Sequence, residues 1–523
     1  MTPEQAAQLS LAEQHEWYRQ ATSRRSMLRG GLVGAAVVAA PALSIGTASA
    51  SSAAPTTPPS AALLQQADRP TGSSVAPFGR HIAFGANPTS QINVAWQVPA
   101  LVANPFLRVG RSPWDLGHKI SADLRSLATL ASDTKPVDSV PLVSPKTIEQ
   151  YYLHAAVDGL QPGETYYYTV GHDGWDPQSN LATINTFTTA PTGRGKFTFT
   201  AFGDQGITYD AVGTSSLIKG LNPAFHLHAG DISYAESGGA GLLTDTYDPR
   251  IWDAFFNQVE RVAASTPWQV AVGNHEMEPW YSPDGYGGQL SRFDFPGNKT
   301  TYYSFTYGNV AVISLDANDV SYELPANNGY SGGAQTAWLA KELASYRARK
   351  DIDFIVAYFH HCAYSTCTSH GSEGGVRQYW TPLFDKYSVD LVINGHNHIY
   401  ERTDPLKSGS ATGAAPIGST VTPATQGTTY IVAGGAGASL YQFSAADSYE
   451  GDVDNVPSIN AFVNETGGTS VTQAVTWSRV RYTGYALLVV ESNPSHGPGG
   501  KSTLAVRAVD EFGAEIDRVT LQR

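Results

Sequence analysis

Sulfur is scarce in this chain: its 523 residues include two cysteines, Cys362 and Cys367, set close together. Two cysteines allow at most one disulfide, closing the short loop between them; the alternatives are two unpaired thiols or soft metal ligands. Charge is sparse as well. Charged residues make up 15% of the chain, and 46 Asp and Glu against 33 Lys and Arg leave a formal net charge of −13. That balance argues against a general binder of nucleic acid or anionic membrane. It does not exclude an anionic substrate, because bound cations dominate the field around them. Long apolar runs are missing too, so no segment beyond the N-terminal region is expected to span a bilayer. In place of these stand 27 Tyr, 51 Gly and 31 Pro, a mixture that favours strands and turns over long helices.

The length exceeds one typical core, so two domains plus targeting sequence are expected. Ser23-Arg24-Arg25-Ser26-Met27-Leu28-Arg29 resembles a twin-arginine export signal, followed by the apolar stretch Gly30–Ile45 and the small residues Ala48-Ser49-Ala50. A membrane anchor is the alternative, but the apolar stretch is shorter than the ~20 residues a spanning helix needs. The expected division is then a signal peptide (1–50), a Ser/Ala/Pro-rich linker (51–77), an all-β domain (78–191) and a larger domain (196–523) that carries the chemical motifs. Export would favour the Cys362–Cys367 disulfide, since free thiols are liabilities outside the cytoplasm.

Strand candidates in the all-β domain include Gln91–Val98, Phe106–Gly110, Tyr151–Val157, Thr165–Val170 and Thr183–Thr188, several of them alternating apolar and polar residues. Leu160-Gln161-Pro162-Gly163-Glu164-Thr165-Tyr166 resembles the tyrosine corner of fibronectin type III sandwiches, whose phenol bonds back to the upstream backbone. From Lys196 onward the pattern changes. Phe197–Phe202, Phe225–Ala229, Trp268–Val272, Val310–Leu315, Phe354–Phe359 and Leu391–Ile393 are apolar runs of buried-strand length, with helices expected at Ile251–Val262 and Gln335–Arg349. Thr300–Ala317 reads as a hairpin turning at Gly308-Asn309. The polar segments 407–426 and 444–474 read as surface loops, and Tyr482–Glu491, Lys501–Asp510 and Ala514–Leu521 as closing strands. This alternation predicts an α/β domain built on central sheets.

Chemistry is concentrated in five motifs: GDQG at Gly203–Gly206, GDISY at Gly230–Tyr234, GNHE at Gly273–Glu276, His360, and GHNH at Gly395–His398. Each follows an apolar run, so Asp204, Asp231, Asn274, His360, His396 and His398 fall at strand exits, where open α/β sheets gather ligands. Carboxylate and phenolate suit a hard trivalent ion, and imidazole and amide oxygen a divalent one.

In their order these motifs resemble the purple acid phosphatases, within the calcineurin-like metallophosphoesterases, and the preceding sandwich is similar to the plant-type members. The resemblance implies a four-layer α/β sandwich of two central mixed sheets flanked by helices, with a separate N-terminal all-β sandwich. It implies that Asp204, Asp231, Tyr234 and His398 hold Fe(III), and that Asp231 bridges to a divalent Zn, Mn or Fe held by Asn274, His360 and His396. Gly206 stands where many metallophosphoesterases carry a ligating His, so Tyr234 supplies the missing ligand. His275 is placed to hydrogen-bond a phosphoryl oxygen, and His370 to donate to the leaving group, with Glu373 nearby to orient it. Ser369 is a departure, since plant-type relatives often have a histidine there.

Other residues invite plainer readings. His226 and His228 share one strand face and are expected in the core. His361 is expected to point away from its neighbour His360, and Tyr400-Glu401-Arg402 to form a scaffold salt bridge. The expected function is an exported phosphomonoesterase of mildly acidic pH, working by in-line attack of a metal-bound hydroxide. A phosphodiesterase with the same metals is the alternative, and a non-catalytic wall- or ligand-binding protein a further one. The expected partner is a small phosphate ester, with no nucleic acid and no membrane span once the signal is cleaved. The expected location is outside the cell or at its wall.

Overall fold

A computed structural model describes residues 74–130, 134–136, 147–177, 180–297, 301–443, 459–465, 469–495, 497 and 499–523. The expected export signal, most of the linker and residues 444–458 lie outside the described residues. No helix among the described residues is long and apolar enough to cross a membrane.

The N-terminal region folds as two antiparallel four-stranded sheets. One runs in the order Phe78–Phe84, Ile92–Val98, Thr147–Val157, Asp123–Leu130; the other runs His118–Ser121, Phe106–Gly110, Thr165–Gly171, Asn185–Thr188. Alternating side chains, such as Val94, Trp96 and Val98 from one sheet and Leu107, Tyr168 and Val170 from the other, fill the space between them. The tyrosine corner forms as expected, with the Tyr166 hydroxyl accepting the Gln161 N–H at 2.8 Å.

The catalytic region holds two seven-stranded sheets. The first has the order Trp268–Val270, His226–His228, Phe197–Phe202, Ala486–Asn493, Thr503–Asp510, Glu515–Gln522, Thr420–Val421. The second has the order Tyr303–Tyr307, Val310–Ser314, Phe354–Phe359, Leu391–Asn394, Thr429–Ala433, Tyr400–Thr403, Ser478–Tyr482. The strands ending nearest the motifs pair in parallel within each sheet. Both faces of the second sheet are buried. Val310, Val312, Phe354, Val356, Tyr358, Leu391 and Ile393 join the main core with the first sheet. The intervening Ala311, Ile313, Ile355, Ala357, Phe359 and Val392 pack instead with Leu339 and Leu343 of the helix Ala334–Ala348 and with Trp380 and Phe384. Burial on both faces is why these strands read as unbroken apolar runs.

The helix Arg250–Ala263 buries Trp252, Phe255, Phe256 and Val259 along one face. The sandwich is fastened to this side of the catalytic region by polar contacts. Asp253 accepts from Gln97 and Gln150, each at 2.7 Å, Asp294 faces His154 and Arg125, and the Tyr168 hydroxyl donates to the Ala264 carbonyl.

Two expectations are corrected. The helix Tyr209–Leu221 is absent from the sequence reading because its Gly and Ser content hides any amphipathic pattern. Thr208, whose hydroxyl accepts from the Ala211 N–H, starts it, and Asn222 in the left-handed region ends it. Within the segment expected to be a polar loop, Ile459–Glu465 and Thr469–Val475 form an antiparallel hairpin that adds to Ser372–Glu373. The β-branched residues Ile459, Val463, Thr469, Val471, Thr472 and Val475 favour strand there despite the polarity.

Candidate metal centre

The motif residues converge between the two sheets. Asp204, Asp231 and Asn274 follow the parallel strands of the first sheet, and His360, His396 and His398 follow those of the second. Tyr234 lies on the loop that carries Asp231. Four of these seven residues have backbones in the left-handed region: Asp204 (φ 62°), Asp231 (51°), Tyr234 (59°) and His396 (70°). Such conformations cost about 1–3 kcal/mol each for non-glycine residues and persist only when the surroundings hold them. Here the surroundings are specific. Glu276 accepts the N–H groups of Asp231, Ile232 and Gly273 at 2.7–2.9 Å, and Asp204 accepts the His396 N–H at 2.8 Å. The glycine preceding a ligand lets the turns touch, since a Cβ on Gly395 would lie 2.5 Å from Asp204 Oδ2.

The side chains face one another with their lone pairs. His360 gives its Nδ1 proton to the Ala229 carbonyl at 2.9 Å, which leaves Nε2 turned inward. That Nε2 lies 2.9 Å from Asn274 Oδ1, 3.1 Å from Asp231 Oδ2 and 3.2 Å from His396 Nδ1. His398 similarly bonds the Ser439 carbonyl through Nδ1, and its Nε2 lies 2.8 Å from the Tyr234 hydroxyl and 3.4 Å from Asp204 Oδ1. Among the described residues three candidate ligand groups result, each with ligand atoms within 4.8 Å of one another: Asp231–His360–His396 and Asp204–Asp231–His398, which have Asp231 in common, and Glu323–His370–His396 beside them. Acceptor atoms crowded this closely are stabilised by a cation, so the donor set fits two ions sharing Asp231.

The protonation pattern of the chain alone agrees. Burial opposes charge on His360, yet Asp231 more than offsets it and raises the imidazole to about 9, so a proton takes the place of the cation. Burial, then the Asp204 and Asp231 carboxylates, push the Tyr234 phenol well above its ordinary value. A phenolate at this position therefore requires a strong Lewis acid beside it.

His275 and His370 flank this cluster. His275 Nε2 lies 3.8 Å from Asp231 Oδ2, and Nδ1 lies 2.6 Å from the Glu236 carbonyl. Burial lowers its affinity for a proton, but Asp231 and Glu236 outweigh that and raise it to about 10. His370 behaves oppositely. The neighbouring His396, with ring centroids 4.0 Å apart, and then burial bring it down to about 3. In the chain alone the two flanking imidazoles are thus shifted in opposite directions, His275 toward the protonated form and His370 toward the neutral one. Tyr441 stacks on His398 with centroids 4.0 Å apart and reaches toward His370.

Several smaller readings change. Cys362 and Cys367 are free and buried rather than joined, and Cys362 Sγ donates to the Gly395 carbonyl. His361 turns toward the cluster, because its strand ends at Phe359 and alternation has lapsed; Nε2 lies 2.9 Å from Glu323 Oε2. Glu373 caps the helix Gly374–Tyr379 through the Gly375 N–H, and the carboxylate 3.6 Å from His370 is that of Glu323. Arg402 pairs with Asp517, while Glu401 accepts from Ser365, Thr366 and Ser478, so this tripeptide is scaffold but not an internal ion pair. His226 and His228 are fully buried in the core beside Phe202 and Trp268, as expected. Sequence reasoning missed Glu276, Glu236 and Glu323. The first two lie within or just beyond motifs and could have been suspected as backbone acceptors; Glu323 sits in a stretch without any pattern.

Comparison with known proteins agrees with this geometry. Residues 77–189 match the purple acid phosphatase N-terminal domain and residues 198–400 the calcineurin-like phosphoesterase domain. An uncharacterized protein of Mycobacterium tuberculosis is 35% identical over 393 residues, covering 69% of each chain. Purple acid phosphatase 15 of Arabidopsis thaliana is 28% identical over 322 residues, or 58% of each chain. The purple acid phosphatase PPD1 of yellow lupin shares the fold at a TM-score of 0.63 with 21% identity, covering 86% of this chain and 75% of that one. Fold and site together define a metal-dependent phosphoester hydrolase of the calcineurin-like class. The chain belongs to the purple acid phosphatase family, with that family's N-terminal domain ahead of the catalytic one.

Proposed function

We propose that this chain is an exported acid phosphatase that hydrolyses phosphomonoesters at a dinuclear centre of Fe(III) and a divalent Zn, Mn or Fe. Asp204, Asp231, Tyr234 and His398 would hold the ferric ion, and Asp231, Asn274, His360 and His396 the divalent one. The observation that carries the reading is the pair of ligand groups sharing Asp231, one with the phenol and one with the amide. When bound, the centre supplies a nucleophile at mildly acidic pH and positive charge for the phosphoryl group.

The surrounding residues bind and orient. His275, held by Glu236 through Nδ1, donates from Nε2 to a phosphoryl oxygen when protonated and gains strength as negative charge builds there. His370, with its ring over His396, faces the departing alkoxide and offers an N–H to it. Tyr441 walls the same side against His398. Export rests on the twin-arginine-like sequence Ser23–Arg29 and the small residues that follow it.

The test compares turnover of an aryl phosphomonoester with that of its matching diester by the metal-replete protein, from acidic to neutral pH. A monoester preference that fades in His370→Ala supports the reading. A diester preference would replace it with a phosphodiesterase on the same metals, and absence of tightly bound metal would remove it.

A further inference from the structure

We infer that Glu323 is the positioning residue for His396, holding its Nε2 proton so that the Nδ1 lone pair stays turned toward His360 and Asp231. The inference rests on reading His396 as a ligand of only one of the two ions.

Glu323 Oε2 lies 3.1 Å from His396 Nε2, while the Nδ1 of the same ring lies 3.2 Å from His360 Nε2. An imidazole that gives one nitrogen to a carboxylate is fixed in tautomer and orientation and becomes the better donor through the other. The carboxylate is itself held. His361 Nε2 reaches the same oxygen at 2.9 Å, with its ring packed on His396 at a centroid distance of 4.5 Å. The other oxygen lies 3.6 Å from His370 Nδ1. Three imidazoles thus surround one carboxylate.

The loop carrying Glu323 is anchored from several directions. The Ser321 hydroxyl accepts the Glu323 N–H, Glu373 accepts the Tyr322 N–H, and Asn328 donates to the Ser321 carbonyl. Leu324 is buried with Val272 and Met277, which flank the GNHE turn. The arrangement is one-sided: among the described residues no hydrogen bond or ion pair joins Glu323 to Asp204, Tyr234 or His398. Its removal should therefore affect one ion and spare the other.

The experiment titrates the metal-free full chain with Zn²⁺ against a chromophoric chelator, for the unsubstituted protein, Glu323→Gln and Glu323→Asp. Glu323→Gln removes the charge and one acceptor; Glu323→Asp keeps the charge and shortens its reach. In both, one equivalent of Zn²⁺ is expected to bind about 10- to 100-fold more weakly, with the second equivalent unchanged within twofold. Unchanged binding of both equivalents overturns the inference. Equal weakening of both overturns it too, because that is the signature of a general structural defect. Failure of the unsubstituted chain to take up two equivalents would overturn the dinuclear reading itself, and this inference with it, before any variant is compared.

Discussion

Gly273→Ala isolates close approach from every other property of the centre. With φ at −100°, Gly273 has a backbone that any residue adopts, so only the added methyl group matters. That Cβ would lie 2.1 Å from Asp231 Oδ1 and 2.4 Å from Asp231 N, whereas ordinary contact begins near 3.4 Å. Either Asp231 or the GNHE turn must therefore retreat by about 1 Å in an interior packed too densely to absorb it. Overpacking of this kind costs about 1–3 kcal/mol of stability. Misplacing a reacting group by about 1 Å costs on the order of 10²-fold in rate. Urea unfolding and kcat/KM on an aryl phosphomonoester measure both losses. Gly220→Ala is the control. It lies within the helix Tyr209–Leu221 with nothing within 4 Å of the new Cβ, and should stabilise by about 0.5–1 kcal/mol without touching turnover. A Gly273→Ala protein within threefold of normal kcat/KM would refute the placement of Asp231 at the heart of the site.

Further outcomes follow from other parts of the molecule. Tyr234→Phe should abolish any visible phenolate-to-iron absorption of the iron-loaded protein while leaving the fold intact, as absorption and circular dichroism would show. His228 has no partner on either ring nitrogen, and burial brings it from 6.5 to about 3. The unfolded chain then binds a proton between those values that the folded chain refuses, so stability falls as pH drops from about 6.5 towards 3. The full loss approaches roughly 4–5 kcal/mol, and urea midpoints across that window should slope less steeply in His228→Leu. Asp517→Ala strands the buried Arg402 guanidinium and should cost about 3–5 kcal/mol in chemical denaturation. Tyr166→Phe leaves the Gln161 N–H without its acceptor and should cost about 1–3 kcal/mol by the same assay.

The convergence of the candidate ligands was legible because strand, glycine and candidate ligand are consecutive in the chain, so each motif carries its own local geometry. Phe197–Phe202 and Phe354–Phe359 have the bounds expected, since burial on both faces writes an unbroken apolar run. The helix Tyr209–Leu221 was illegible because its capping hydroxyl and left-handed Asn222 define it better than any apolar periodicity does. The hairpin Ile459–Glu465 and Thr469–Val475 was illegible because strand propensity and polarity conflict there. Glu323 and His361 could not be paired from sequence, since nothing local announces that an irregular loop folds back over His396. The lowered proton affinity of His370 was hidden for the same reason. It depends on a ring contributed from beyond the next strand.

The division of the candidate ligands between two sheets has a mechanical consequence. Asp204, Asp231, Tyr234 and Asn274 belong to one half of the sandwich, and His360, His396 and His398 to the other. Ions held by both sets, as proposed, would act as rivets through the seam, bearing load that the apolar layers alone would otherwise carry. Pulled or heated, the loaded protein should resist separation of its halves until the rivets fail. The stripped protein should part at that seam first, with the amides flanking the motifs exchanging with solvent before those deep in either sheet.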